Sequence, residues 1–250
     1  MKNYLIYPCK AMRITQSYTG TTSHLPYSTG SPKDYPWDEG CSGTGRDYFY
    51  CPCDEMKIKR IYGVGTSGTN ALWLESTSKV YFADGTSGYF TLLIIHPNDD
   101  DLRKLKVGQI FERKDRICRE GNDGTASYHF HFSAGKGKVK DNGWKLNSKG
   151  KYVLTTSAGT ERPQDLFFID KDFTKVVSDK DLKFKTLPEY KTGTYVVNTA
   201  ALNTRSGPGT KYAVKSVLFK GKKITVEKVS GDWGRYYSGR WVNLDHCKKV

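Results

Sequence analysis

The chain has 250 residues, and its 40 Lys and Arg against 26 Asp and Glu give a formal net charge of +14. The length is sufficient for two domains, and the charge favours an anionic partner. No run approaches the roughly 20 apolar residues of a membrane-spanning helix, so we expect no membrane partner.

The composition predicts a mainly β protein, because 17 Tyr and 25 Gly favour strands joined by tight turns. The start, Met1 to Cys9, is too short and too polar for a signal peptide, so we expect a cytoplasmic product without a Sec-type signal. Reduced thiols are then expected for the six cysteines. Cys51 and Cys53, with Cys41 nearby, are a weak metal candidate, because zinc sites usually place two residues between thiols.

In chain order, the first polar groups of interest are His24, Asp34 and Asp38. The continuous apolar run Gly88–Pro97 predicts a central, doubly covered strand, with His96 at the point where the strand leaves the core. A half-exposed structural histidine is the alternative interpretation of His96. The segment Leu105–Ile110 follows and predicts a short strand and turn.

The segment from Tyr128 to Phe132 contains two of the five histidines. Read as a strand, it places His129 and His131 on one face and Tyr128, Phe130 and Phe132 on the other, which can enter a core. Two imidazoles pointing together into a cleft suit a metal ligand beside a proton-handling group. The alternative is two solvated histidines on an edge strand.

The charged, proline-containing stretch 183–191 predicts a linker between a first domain, residues 1–182, and a second, residues 192–250. Short strands separated by turns predict a small barrel for the second domain. Residues 136–180 carry no recognisable motif. We expect them to pack behind the sheet, and the alternative is that they rim a substrate groove.

The second domain resembles a bacterial SH3 domain through four motifs in family order, Ala201–Gly209, Lys220–Val226, Gly231–Trp233 and Gly239–Val242. Thr204 stands where the family usually has Val. The resemblance implies an SH3-like barrel that binds bacterial cell wall, often its peptide cross-links. We expect the following aromatic residues to be barrel core rather than ligand contacts: Trp233, Tyr236, Tyr237 and Trp241.

Residues 11–140 resemble the lysostaphin-like, or LytM-type, zinc endopeptidases, which cut peptidoglycan peptides. The resemblance implies an antiparallel-sheet peptidase fold. It also implies that His24, Asp38 and His131 bind Zn²⁺, while His96 and His129 line the reaction centre as catalytic residues.

Two departures from the family pattern concern these residues. Thirteen residues separate His24 from Asp38, where many members have three, and this leaves Asp34 as a substitute ligand. Pro97 follows His96, where the family usually has Leu. His246, near the end of the second domain, is expected to be incidental.

The implied function is that of a peptidoglycan hydrolase, a phage endolysin cutting the stem peptide or cross-bridge of a Gram-positive wall. We expect a monomer that waits in the host cytoplasm and acts at the wall after release. A secreted autolysin and a catalytically inactive wall-binding or scaffold protein are alternatives. No helix-turn-helix, RNP-like strand or zinc-finger spacing supports a nucleic-acid partner.

Overall fold

The computed structural model describes residues 2–21, 23–42, 44, 46–66, 69–125 and 127–250. The chain falls into two compact units, whose main segments are Asn3–Leu187 and Pro188–Val250. Among the described residues, no helix is both long enough and apolar enough to cross a membrane.

Strands dominate the first unit, as the composition predicts. In chain order they are β1 (Ala11–Gln16), β2 (Trp37–Glu39), β3 (Tyr48–Tyr50), β4 (Glu55–Tyr62), β5 (Ala71–Ser76), β6 (Val80–Tyr81), β7 (Ser87–Gly88), β8 (Phe90–Ile95), β9 (Ile110–Glu112), β10 (Arg116–Arg119), β11 (Phe130–Lys136), β12 (Val139–Leu146), β13 (Tyr152–Thr156), β14 (Phe168–Ile169), β15 (Lys175–Ser178) and β16 (Lys185–Thr186). Three short helices are described with them: α1 (Leu25–Thr29), α2 (Asp99–Leu102) and α3 (Pro163–Leu166).

The main sheet of the first unit has the described order β15-β1-β2-β11-β8-β5-β4-β9. Its pairs are antiparallel except β1 with β15, which are parallel. β8 is central and almost wholly buried, which confirms the strand predicted from the apolar run before His96. The predicted short strand at Leu105–Ile110 is instead mostly turn, and β9 begins only at Ile110.

The alternation predicted around the two histidines is confirmed within β11. Phe130 and Phe132 are fully buried, and their rings lie 5.3 Å apart and almost parallel, whereas His131 between them points to the other face. The prediction was wrong for Tyr128, which is 46% exposed. The physical reason is that β11 begins at Phe130, so the two-residue period does not extend back to Tyr128.

Residues 183–187, the first part of the predicted linker 183–191, lie within the first unit, which ends at Leu187. The Phe184 ring meets the Tyr7 ring edge-on at 5.5 Å, and β16 pairs in parallel with β14. The many charges around Phe184 dominate the composition of this segment, but its half-buried aromatic ring packs against the main core.

Residues 136–180 divide between the two arrangements considered for them. Leu166 and Phe167, at the end of α3, belong to the main core behind the sheet. The hairpin β12–β13 instead lies over β5, where Trp144 meets Trp73 edge-on at 5.1 Å. The hairpin therefore covers part of the other sheet face, opposite to the default expectation.

The second unit also consists of strands, in two sheets. Its elements are β17 (Gly193–Val197), β18 (Ala201–Arg205), β19 (Val214–Phe219), β20 (Lys223–Val226), β21 (Lys228–Ser230), β22 (Trp233–Tyr237), β23 (Arg240–Asn243), a 3₁₀ helix (Leu244–His246) and β24 (Cys247–Lys249). One sheet has the order β19-β18-β23-β22-β21 and the other β20-β17-β24.

The strand pairing described for residues 188–250 does not close these two sheets into the single barrel that the sequence predicts. The chain passes between the two sheets four times, and the shortest passage is the single residue Glu227 between β20 and β21. A shared core joins the sheets, with Tyr195 and Ile224 from one and Leu202 and Val242 from the other. The result is two small sheets packed on a common apolar interior.

The buried aromatic pair in β11 gives a first prediction. Phe132→Ala should lower the free energy of unfolding by about 3–5 kcal/mol, because a fully buried aromatic side chain leaves a cavity. Tyr128 lies two residues before β11 and its ring is exposed, so Tyr128→Ala should change the free energy of unfolding by less than about 1 kcal/mol. Urea unfolding followed by circular dichroism measures both, and equal losses would contradict the described packing.

Candidate metal centre

One carboxylate and one imidazole of the centre come from neighbouring strands of the main sheet. Asp38 in β2 lies directly opposite His131 in β11, and His131 lies opposite Ile95 of β8 on its other side. Residues directly opposite in an antiparallel pair place their Cβ atoms about 4.5–5.5 Å apart on the same face. The pairing register therefore brings the Asp38 carboxylate to the His131 ring.

The residues beside Asp38 fix the direction in which β2 faces. Trp37 and Glu39 are fully buried on the opposite face, where the Trp37 and Phe132 rings lie 5.2 Å apart. The Glu39 carboxylate accepts hydrogen bonds from the Tyr7 hydroxyl and from backbone N–H groups. Burial raises the pKa of Glu39 to about 7. This anchoring turns Asp38 toward His131.

The third member, His24, immediately precedes α1 and is almost fully buried. Its Nε2 lies 3.2 Å from Asp38 Oδ1 and 3.3 Å from His131 Nδ1. The distance from His131 Nδ1 to Asp38 Oδ1 is 3.0 Å. Residues 24, 38 and 131 thus converge on one point, and they form the group of potential metal ligands found among the described residues.

The hydrogen bonds around this group favour a cation at its centre. The Ser17 carbonyl lies 3.1 Å from His24 Nδ1 and can only accept, so Nδ1 carries the proton and Nε2 presents a lone pair. Asp38 Oδ2 accepts from the Gln16 side chain at 3.0 Å. Asp38 Oδ1 is buried without a hydrogen bond of good geometry among the described residues. The lone pairs of His24 Nε2 and Asp38 Oδ1 would repel each other without a cation between them, so this arrangement suits a divalent metal ion.

The charge states also suit metal binding. Burial opposes ionisation of Asp38, but the adjoining rings of His131 and His24 hold its pKa well below its usual range. Burial lowers the pKa of His131, although Asp38 opposes that shift. An ionised carboxylate and a neutral imidazole are the forms that bind metals.

The other two histidines of interest lie beside this group. The His96 ring lies 4.9 Å from the His129 ring and 6.3 Å from the His131 ring, measured between centroids. His129 Nε2 is 3.9 Å from Asp38 Oδ1. The structure therefore brings together all five residues that the family resemblance singles out.

Backbone carbonyl groups orient both of these rings. Asp123 accepts from His96 Nδ1 at 2.6 Å, and Ser127 accepts from His129 Nδ1 at 2.8 Å. Each ring is left with Nε2 as a proton acceptor. Burial is the main cause that lowers the pKa of His96 to about 4, so this ring is neutral near pH 7. His96 has φ +64°, an uncommon backbone conformation at the end of β8.

Asp34, the alternative ligand, lies outside the group. Its two carboxylate oxygens accept from the backbone N–H groups of Leu154 and Tyr35, both at 2.9 Å. Burial raises its pKa to about 6. Asp34 thus attaches the inserted loop between His24 and Asp38 to β13.

The inserted loop also brings an aromatic ring to the centre. Tyr27, in α1, lies 6.3 Å from the His24 ring and 6.0 Å from the His131 ring. Sequence reasoning did not identify Tyr27, Gln16 or Ser17. Gln16 lies beside Asp38 through the pairing of β1 with β2, a register that leaves no signal in the local sequence.

A cavity of about 490 Å³ adjoins the centre. Its floor includes Ala71, Leu93 and Ile95, and Ile95 lies between His131 and Ala71 in the strand register. Tyr27 stands at one side, and the hairpin β12–β13 contributes Trp144 and Tyr152. The remaining lining residues are Tyr62, Thr66, Thr69, Gly150 and Lys151. A cleft with an apolar floor and aromatic sides therefore runs next to the group of candidate ligands.

The cysteines and the fifth histidine lie elsewhere. The Cys51 and Cys53 thiols donate to backbone carbonyls, and neither belongs to a potential metal group among the described residues. All six cysteines are free. His246 lies in the 3₁₀ helix of the second unit.

Comparison with known proteins gives structural neighbours only. No protein-family model matches the chain, and no curated protein does. The chain is similar to the NMR solution structure of lysostaphin, with 15% identity over 97% of this chain and 91% of that one and a TM-score of 0.40. It is similar to a zinc-containing peptidase from Vibrio cholerae, with 15% identity over 65% of this chain and 41% of that one and a TM-score of 0.35.

A third neighbour is the antimicrobial peptidase lysostaphin from Staphylococcus simulans, with 16% identity over 97% of this chain and 85% of that one and a TM-score of 0.33. All three TM-scores are below 0.5, so the site is interpreted from its own geometry.

The ligand geometry gives a second prediction. Wild-type protein should hold one Zn²⁺ per chain, and His131→Ala or Asp38→Asn should lose it, because each removes one of three converging donors. Inductively coupled plasma mass spectrometry after gel filtration measures the metal content of the folded protein.

Two matched variants control this measurement. Asp34→Asn removes a carboxylate four residues from Asp38 and loses one backbone hydrogen bond, yet folded protein should keep its zinc. His246→Ala removes a histidine of the second unit and should also keep it. Loss of zinc in Asp34→Asn with retention in Asp38→Asn would reverse the ligand assignment.

Proposed function

We propose that this chain is a zinc-dependent endopeptidase that hydrolyses peptide bonds of bacterial peptidoglycan. The observation that carries the proposal is the convergence of His24, Asp38 and His131 within 3.3 Å, beside two further histidines and an apolar cleft. A structural metal site would be closed by four protein ligands, whereas three ligands leave a position for water or substrate.

Two imidazole nitrogens and one carboxylate oxygen are a donor set that suits zinc. When bound to such a set, zinc supplies a water whose pKa is lowered from 15.7 to about 7, and it polarises a carbonyl group. Gln16 and Ser17 support the ligands from behind, through Asp38 Oδ2 and His24 Nδ1 respectively. Such outer contacts hold each ligand in its binding orientation.

His129 and His96 are suited to proton transfer. The Nδ1–H group of each ring donates a hydrogen bond to a backbone carbonyl. Nε2 is therefore free to accept a proton and later release it to the leaving amine. His129 Nε2, 3.9 Å from Asp38 Oδ1, lies nearer to the ligand group and is assigned as the proton acceptor. His96, neutral near pH 7, also presents an Nε2 lone pair and is assigned as a second proton acceptor, which can donate to the oxyanion or the leaving amine only after it has taken up a proton.

The cleft supports a peptide substrate. Its floor of Ala71, Leu93 and Ile95 lies flat along the sheet, and aromatic rings flank it. An apolar floor between walls that carry hydroxyl, indole and amine groups suits an extended peptide, which offers both apolar side chains and backbone hydrogen-bonding groups. The net charge of +14 favours an anionic cell wall, and it should make wall lysis sensitive to salt.

We propose that residues 192–250 act as an SH3-like wall-binding module of a Gram-positive phage endolysin that works as a monomer. The four motifs in family order support this role. A second contact with the wall would raise the local concentration of the peptidase at its substrate. The five buried free thiols of the first unit support synthesis in a reducing compartment, with action at the wall after release.

The proposed function is tested with purified Gram-positive cell walls. Wild-type protein should clear the suspension, chelation should stop clearing, and added zinc should restore it. Mass analysis of the soluble products should show new amino groups on peptides and intact glycan strands. Zinc binding without any cleavage across several wall types would instead support an inactive wall-binding protein.

The proton-transfer assignment gives a third prediction. His129→Ala and His96→Ala should each reduce kcat by about 10²–10⁴-fold, which is the usual contribution of general acid–base groups. Both variants should retain one zinc per chain, because neither His129 nor His96 is one of the three proposed zinc ligands. Steady-state hydrolysis of a soluble wall peptide, with metal content measured on the same samples, separates this loss from metal loss. Full activity in both variants would contradict the assignment.

The cleft gives a fourth prediction. Tyr152→Ala should raise KM for a soluble wall peptide about fivefold to tenfold and leave kcat within twofold, because this ring flanks the cleft away from the ligands. The ring is 57% exposed, so little core packing is lost. Val107→Ala, an exposed apolar residue outside the cleft, should leave KM unchanged. An unchanged KM in Tyr152→Ala would show that substrate does not use this wall.

A further inference from the structure

Asn70 is a buried amide beside one of the two histidines assigned to proton transfer. It immediately precedes β5 and is only 1% exposed. Its Nδ2 donates to the Pro97 carbonyl at 2.9 Å and to Asp123 Oδ2 at 2.6 Å, and Asp99 Oδ1 lies 3.5 Å away. Because acceptor oxygens surround this end of the side chain, it must be the NH₂ group.

The loop at residues 121–123 connects His96 with His129. The Gly121 N–H donates to the His96 carbonyl at 2.8 Å, and the Gly121 carbonyl accepts from the His129 N–H at 3.1 Å. A Cβ atom at Gly121 would lie 2.8 Å from the His96 carbonyl oxygen, so only glycine permits this approach. Two residues further on, the Asp123 carbonyl accepts from His96 Nδ1 at 2.6 Å. The position of this loop therefore sets the orientation of the His96 ring.

Asn70 contacts the surroundings of His96 through three separate hydrogen bonds. Its backbone carbonyl accepts from the His96 N–H at 3.3 Å. Its amide binds the carbonyl of the next residue, Pro97, and the carboxylate of Asp123. Asp123 in turn supplies the carbonyl that accepts from His96 Nδ1. One side chain thus joins the start of β5, the residue after His96 and the loop that orients the ring.

Two unfavourable features lie in this small region. Asn70 Oδ1 is buried without a hydrogen-bond partner among the described residues, and such atoms are rare in native proteins. His96 adopts φ +64°, which is uncommon for a residue other than glycine. Backbone strain of this kind is concentrated at functional sites, where surrounding contacts hold it in place. Because its acceptor end is unpaired, the Asn70 amide contributes through its N–H donors.

We propose that Asn70 is a positioning residue that, through Asp123, keeps the His96 proton on Nδ1 and leaves Nε2 as a proton acceptor. In a neutral imidazole the proton can occupy either nitrogen, and the hydrogen bond at one nitrogen selects the tautomer. If the Asp123 carbonyl moves away, the proton can occupy Nε2, which then no longer accepts one. The effect on catalysis rests on the proposed function, whereas the effect on the tautomer does not.

The tautomer is measured by long-range ¹H–¹⁵N NMR of the histidine rings in the full-length chain at neutral pH. His96→Ala identifies the His96 signals. In wild-type protein, Nδ1 should resonate as a protonated nitrogen and Nε2 as an unprotonated one. In Asn70→Ala the two signals should move toward each other, as expected for a mixture of both tautomers. Unchanged nitrogen signals in folded Asn70→Ala would overturn the proposal.

Two further variants separate this effect from general damage to the fold. Asp123→Ala removes the same hydrogen bond from the loop side, at a half-buried position, and should shift the His96 signals in the same direction. Asn122→Ala changes an exposed neighbour in the same loop and should leave these signals unchanged. If Asn70→Ala does not fold, Asp123→Ala decides the question. Unshifted signals in Asp123→Ala, or an equal shift in Asn122→Ala, would overturn the proposal.

Pairs of substitutions provide a second readout. On a soluble wall peptide, Asn70→Ala should lower kcat about tenfold to hundredfold with KM and zinc content unchanged, which is part of the usual contribution of an acid–base group. In the His96→Ala background the same change should lower kcat less than about twofold, because the ring on which Asn70 acts is already absent. Similar losses in both backgrounds would show a general structural effect and overturn the positioning role.

The outcomes separate this inference from the proposed function. A protein that cleaves no wall, while its His96 signals shift in Asn70→Ala and Asp123→Ala, would refute the hydrolase and leave the role of Asn70 in place. Wall cleavage by the wild type with unshifted His96 signals in both variants would do the reverse.

Discussion

The candidate metal centre depends on the register between β2 and β11. In this register Asp38 faces His131, while Trp37 and Phe132 pack behind them in the core. A slip of one residue would exchange the two faces of β11, burying His131 and exposing Phe132. The stacked phenylalanine rings and the buried Glu39 therefore fix the position of the candidate ligands and also stabilise the sheet.

Much of this centre could be predicted from local sequence, because a two-residue period is visible without knowing the fold. The placement of His131 opposite to Phe130 and Phe132 follows directly from that period. The choice between Asp34 and Asp38 could not be made so simply, since it depends on contacts 120 residues apart: Asp34 accepts from Leu154 in β13. The supporting Ser17 group is a backbone carbonyl, which leaves no sequence signal at all.

The errors have a common physical origin in long-range packing. Charge composition predicts a linker at 183–191, and it gives no sign that the Phe184 ring meets the Tyr7 ring edge-on. The hairpin β12–β13 carries no motif, yet Trp144 and Tyr152 flank the cleft beside the ligands. Strand patterns predicted the elements of the second unit, but not the change of sheet at Glu227. In each case one or two side chains decide the arrangement.

The central claim is that three side chains bind one zinc ion. Anomalous diffraction from zinc-loaded crystals, recorded on both sides of the zinc absorption edge, locates such an ion directly. We expect a single peak about 2.0–2.2 Å from His24 Nε2, Asp38 Oδ1 and His131 Nδ1. A fully loaded crystal whose only zinc peak lies at Cys51 and Cys53, at Asp34 or at His246 would contradict the account.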